Sequence, residues 1–163
     1  MEHTTRRLAA LAAAPLLAGV LVAAPQAAQA DDQQTSQAQA AGAWLADEVK
    51  GGLVQSSYDG FSYDDYGLTI DVLYALRAVG GFRGETTQIV DALEAGASGY
   101  ATSDAAKAKL LGAATVAGQD PTSFGGINLV TATEGALYDS GANEGRLKGD
   151  YSSAFTQSYA VQG

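Results

Sequence analysis

Residues 65–81 read DYGLTIDVLYALRAVGG. Leu68, Val72, Ala75, Leu76 and Val79 recur at helical spacing and form one face, while Ile70, Leu73 and Tyr74 carry apolar groups onto the others. The pattern predicts a helix over Tyr66–Val79, capped by Asp65 or Asp64 and stopped by Gly80-Gly81. A helix that is apolar nearly all round belongs in an interior. Asp71 breaks the pattern. A carboxylate among Ile70, Val72 and Leu73 costs free energy unless it is paired or solvated. Arg77, six positions on, lies too far round the helix to pair with it.

Outward from this helix, the periodicity predicts five more. The first runs from about Ala38, with Ala41, Trp44, Leu45 and Val49 on one side, and ends at Gly51-Gly52. The third covers about Thr86–Ala97 around Ile89, Val90 and Leu93. The fourth covers Asp104–Ala117, capped by Ser103 and stopped by Gly118. The fifth covers about Ile127–Tyr138, weakened by Gly135, and the sixth begins at Tyr151. Residues 55–65, rich in Tyr, Ser, Asp and Gly, read as a loop. No stretch alternates apolar and polar residues long enough to argue for a sheet, so the expected class is all-α.

The even-numbered helices repeat one another. A shift of 85 residues lays Asp65-Tyr66 on Asp150-Tyr151, Ile70 on Phe155 and Tyr74-Ala75 on Tyr159-Ala160. A shift of 38 lays Leu73 on Leu111 and Val79-Gly80 on Ala117-Gly118. Periods of this size point to stacked helical hairpins, because one hairpin cannot bury its own apolar face.

The beginning of the chain has another character. Arg6 and Arg7 precede the uncharged, largely apolar stretch Leu8–Ala24, and Ala28-Gln29-Ala30 forms a small-x-small site before Asp31-Asp32. That order predicts a secretory signal over residues 1–30, cleaved near Ala30. The run is too short, and too broken by Pro15 and Pro25, for a spanning anchor. Residues 31–40 are polar and Gln-rich and read as a disordered leader, which leaves 41–163 for the repeat domain.

The inventory then limits the chemistry. Removing residues 1–30 takes Lys plus Arg from 9 to 7 and Asp plus Glu from 18 to 17, so the net charge goes from −9 to −10. So acidic a chain is a poor partner for nucleic acid or anionic lipid. It has no Cys, and its one His, His3, lies in the signal. Disulfides, thiolate catalysis and Ser–His catalysis drop out of the exported chain, and neither a metal nor a cofactor is expected.

Trp44-Leu45, Asp59-Gly60-Phe61 and Gly80-Gly81-Phe82-Arg83-Gly84 resemble degenerate prenyltransferase and squalene-cyclase repeats. The chain looks most like the secreted, alanine-rich actinobacterial proteins of this repeat type. The resemblance implies an α/α toroid, with the second, fourth and sixth helices inside and the others outside. A closed toroid needs more than three hairpins, so about three imply an incomplete array, a fragment ending within its sixth helix. The zinc ligands of protein prenyltransferases are missing. Of the cyclases' Asp-x-Asp-Asp acid, Ser62-Tyr63-Asp64-Asp65 keeps only the paired half.

These features support three functions. The leading one is a non-catalytic secreted domain that binds a small-molecule or cell-envelope partner through its inner helices, with Tyr66, Asp71, Tyr74 and Tyr151 as candidate ligand-binding residues. The second is a terpene-cyclase-like enzyme using Asp64, Asp65 or Asp71 as its acid. The third is a structural cell-surface protein. Asp64 and Asp65 also read as helix caps, and Asp150 likewise. Tyr58, Phe61, Tyr63 and Tyr66 form an aromatic cluster that is either a binding loop or that loop's own small core.

Overall fold

The computed structural model describes residues 23–149 and 153–162, with side chains described over 34–149 and 153–161. The predicted signal lies for the most part outside the described residues, and so do Asp150 and Tyr151. The chain divides into two units, Met1–Thr35 and Ser36–Gly163, and the packing that follows is within the second.

Six α-helices and three strands make up the described residues, in the order α1 (Ala23–Glu48), β1 (Val49–Lys50), β2 (Leu53–Tyr58), β3 (Phe61–Asp64), α2 (Tyr66–Val79), α3 (Arg83–Tyr100), α4 (Asp104–Ala117), α5 (Leu129–Glu134) and α6 (Ala154–Gln162). The polar stretch 31–40 lies within α1. The fold is therefore mixed, and the all-α toroid array is corrected by the sheet. Residues 55–65, expected to be a loop, form most of an antiparallel meander of order β1-β2-β3.

Two tight turns build that meander. Val49 pairs with Val54 and Lys50 with Leu53 across Gly51-Gly52. Tyr58 pairs with Phe61 across Asp59-Gly60. All four turn residues have positive φ: 62° and 87° at the glycine pair, 49° at Asp59 and 81° at Gly60. This is the primed geometry that matches strand twist, and it explains the glycines. Gly52 also lies against the α3 backbone, where a Cβ would overlap the Gln88 carbonyl oxygen.

The hairpin is latched onto the first turn of α2. Asp65 N–H donates to the Val54 carbonyl at 2.8 Å. Val54 N–H donates to Thr69 Oγ1 at 2.9 Å, and that hydroxyl donates to the Asp65 carbonyl at 2.6 Å. Asp65 caps the helix, its Oδ1 accepting from Leu68 N–H at 2.8 Å, and Gly80 closes the other end. The bounds of α2 and α4, with the Ser103 cap and left-handed Gly118, agree with the sequence patterning. The remaining helices shift. α3 is longer at both ends, α5 stops at Gly135 rather than reaching Tyr138, and α6 begins at Ala154.

The core fills the space between α2, α3, α4 and α5. Ile70, Leu73, Leu76, Ile89, Leu93, Leu110 and Leu129 are fully buried there. A smaller cluster of Ala108, Ala136 and Leu147 seats Tyr159 and Ala160 of α6. The helix α4 thus packs on both α2 and α6, the two helices that the repeat aligns with it. Among the described residues no helix is long and apolar enough to cross a membrane.

Candidate functional site

The carboxylate of Asp71 meets a lysine from α4. Lys109 Nζ lies 2.8 Å from Asp71 Oδ1 and 2.9 Å from Oδ2. The environments of the two ends differ sharply. The Lys109 side chain is 8 % exposed and that of Asp71 52 %. The ammonium also lies over the Tyr159 ring, 5.1 Å from its centre, a cation–π contact inside the fold. An interior lysine held by one carboxylate and one ring face presents that carboxylate's outer side to solvent.

Tyrosines surround the pair. Tyr74, one turn after Asp71, donates its hydroxyl to the Lys109 carbonyl at 3.3 Å. Burial, then the Asp71 charge and Tyr159, push the Tyr74 phenol up to about 12. Tyr100 at the end of α3 is also pushed up to about 12, by burial first and then by Tyr159, Asp71, Asp65 and Tyr74. Its ring stacks on Tyr66, with centroids 5.7 Å apart and planes 21° from parallel. Gly96 permits this, because a Cβ there would overlap the Tyr66 ring. Gly67 adjoins the same groups: a Cβ there would make ordinary contacts at 3.7 Å with the Tyr100 hydroxyl and 4.0 Å with Lys109 Nζ. Two open grooves border the cluster. One of about 560 Å³ is lined by Tyr74, Gly112 and Val116, and one of about 730 Å³ by Tyr66, Gly96, Tyr100 and Ser103.

Tyr66, Asp71 and Tyr74 are thus in or beside one cluster, and Asp65 stands at its edge as the cap of α2. Both Asp65 oxygens are engaged, the second accepting from the Ser56 hydroxyl at 2.7 Å. Asp64 is elsewhere, hydrogen-bonded to the Gln55 amide on the outer face of the hairpin. Tyr151 lies outside the described residues. The aromatic loop does not form a core of its own, for Tyr58, Phe61 and Tyr63 are exposed. Among the described residues no group of three or more His, Cys, Asp or Glu side chains is placed to hold a metal.

Sequence patterning missed Lys109, Tyr100 and Tyr159 as site residues. A signal for the first existed. The shift of 38 that aligns Leu73 with Leu111 also lays Asp71 on Lys109, opposite charges at one position of two apolar helices. The shift of 85 lays Tyr74 on Tyr159.

No family model, no curated protein and no solved structure matches the chain. The resemblance to prenyltransferase and squalene-cyclase repeats therefore rests on its short motifs alone.

Proposed function

We propose that this chain is a non-catalytic binding domain whose ligand docks where α2, α4 and α6 meet. The observation that carries this reading is the Asp71–Lys109 pair, closed at the lysine and open at the carboxylate. Asp71 offers outward lone pairs beside the neutral phenols of Tyr74 and Tyr100; the Tyr74 proton is spent on the Lys109 carbonyl, so that residue presents its ring and an oxygen lone pair. Aromatic faces with a fixed acceptor suit a ligand that brings hydrogen-bond donors, such as a glycan or an amine. An exported chain would meet such groups in cell-envelope material.

Binding is favoured over acid catalysis by the occupancy of the carboxylates. A general acid needs a proton on an oxygen free to deliver it. Both oxygens of Asp65 accept hydrogen bonds from its own fold, and both oxygens of Asp71 face Lys109. Titration with soluble envelope glycan fragments and with simple diamines, followed by amide NMR, tests the proposal. Shifts should centre on Asp71, Tyr74 and Tyr100, and Asp71→Asn should weaken binding at least tenfold. Shifts confined to other surfaces, or an Asp71→Asn protein that binds as well as the parent, would sink it.

A further inference from the structure

The hairpin carries a second surface, separate from the helical cluster. β3 is the outer strand of the sheet, and all four of its residues are exposed. Its register with β2 is regular, Gln55 with Asp64, Ser56 with Tyr63, Ser57 with Ser62 and Tyr58 with Phe61. The bond from Asp65 N–H to the Val54 carbonyl sets the phase of the ladder. Bonded pairs alternate with unbonded ones along an antiparallel ribbon. Pairs 56/63 and 58/61 therefore lie in the bonded phase, pair 54/65 keeps the single bond from Asp65 N–H, and the backbone groups of Ser62 and Asp64 point away from β2.

Exposed edges are ordinarily defended by shortness, charged side chains, a proline, a bulge or a covering element. β3 is four residues long and its one charge is Asp64; it has no Lys, no Pro and no bulge, and its outer side pairs with no other strand among the described residues. One face of the ribbon is aromatic instead. Tyr58, Phe61 and Tyr63 share the face that begins at buried Val54, and they are 78 %, 76 % and 51 % exposed. Charge selects the occupant. From Gly51 to Leu76 the chain holds Asp59, Asp64, Asp65 and Asp71 and no Lys or Arg. A second copy of this chain, itself at −9, would bring like net charge to this edge. A basic strand would meet carboxylates and the faces of tyrosine and phenylalanine rings, which attract cations.

We propose that the free edge of β3 receives an extended, Lys- or Arg-bearing segment of a partner protein as a fourth strand. Main-chain bonds to Ser62 and Asp64 give the pairing, and the partner's alternate side chains lie over Phe61 and Tyr63. The test uses the full chain and three eight-residue peptides: alternating Lys-Thr, alternating Glu-Thr, and Lys-Thr with every second amide N-methylated. The Lys-Thr peptide should bind and shift the amides of Ser62 and Asp64. The Glu-Thr and N-methylated peptides should bind at least tenfold more weakly. Ser62→Pro removes an outward N–H without touching a β2 bond, and should cost tenfold; Tyr63→Ala, which leaves the ladder whole, should cost less. Equal binding by the N-methylated peptide would overturn strand pairing, and equal binding by the Glu-Thr peptide would overturn the charge argument. Concentration-dependent dimers that Ser62→Pro abolishes, with no peptide binding, would assign the edge to a second copy and overturn the proposal.

Discussion

Lys109 and Asp71 share an ion pair but not its surroundings, and that asymmetry predicts unequal mutants. Asp71→Asn leaves an ammonium in the interior with only a ring face and a weak acceptor. Breaking a fully buried pair costs several kcal/mol, but the solvent at Asp71 discounts this one to about 1–2 kcal/mol. Lys109→Met keeps the packing and leaves a carboxylate that water can reach, so its cost should stay below about 1 kcal/mol. Urea melts of the two variants check the order, and a more damaging Lys109→Met would contradict it. Thr133 is a second single-residue case. Its Oγ1 is buried with no hydrogen-bond partner among the described residues. Thr133→Val removes the unsatisfied hydroxyl at nearly constant volume and should add about 0.5–1 kcal/mol. An unchanged or lowered midpoint would mean that the hydroxyl is satisfied in solution.

At the scale of elements, the hairpin and the helices obey different rules. α2 and α4 are legible to the residue because caps, stops and a 3.6-residue period agree. The hairpin is not, although Asp59-Gly60 between Tyr58 and Phe61 is a recognised turn pair. The strand alternation is weak because the ribbon is buried only at its base. Beyond Val54, Gln55, Ser56 and Ser57 are polar on both faces, and that composition is also a loop's. The element therefore depends on its turn and on the latch to Thr69. Gly60→Val forces a β-branched residue to a φ of 81° and should cost about 1–2 kcal/mol. Amide exchange should quicken from Ser57 to Ser62 while α2 and α4 keep their protection. Equal loosening of α2 would show that hairpin and helix open as one unit.

For the whole molecule, the tyrosines set the alkaline limit. Tyr74 and Tyr100 hold their protons to about pH 12, against 10 for an ordinary phenol. Between these values the unfolded chain has released protons that the folded chain keeps. The unfolded state then binds fewer protons, so stability falls as pH rises. Their contribution is complete below pH 10 and gone above about 12. Phenolate absorbance should show Tyr74 and Tyr100 ionising late. Asp71→Asn should move both partway back toward 10, and only partway because burial is the larger cause. Ionisation of Tyr74 and Tyr100 near 10 would remove the cluster from the interior. The sequence by itself determined the spans of α2 and α4, a cap for α2 at Asp64 or Asp65, the apolar faces that make the core and the absence of thiol chemistry. Those are local properties, set by spacing, by caps and by which side chains exist. Tertiary structure alone decided that a polar ribbon folds back on Thr69 and that Asp71 meets a lysine 38 residues away. Neither energy is local. The ribbon depends on a helix end to receive it, and the interior Lys109 depends on another helix to bring its counter-charge.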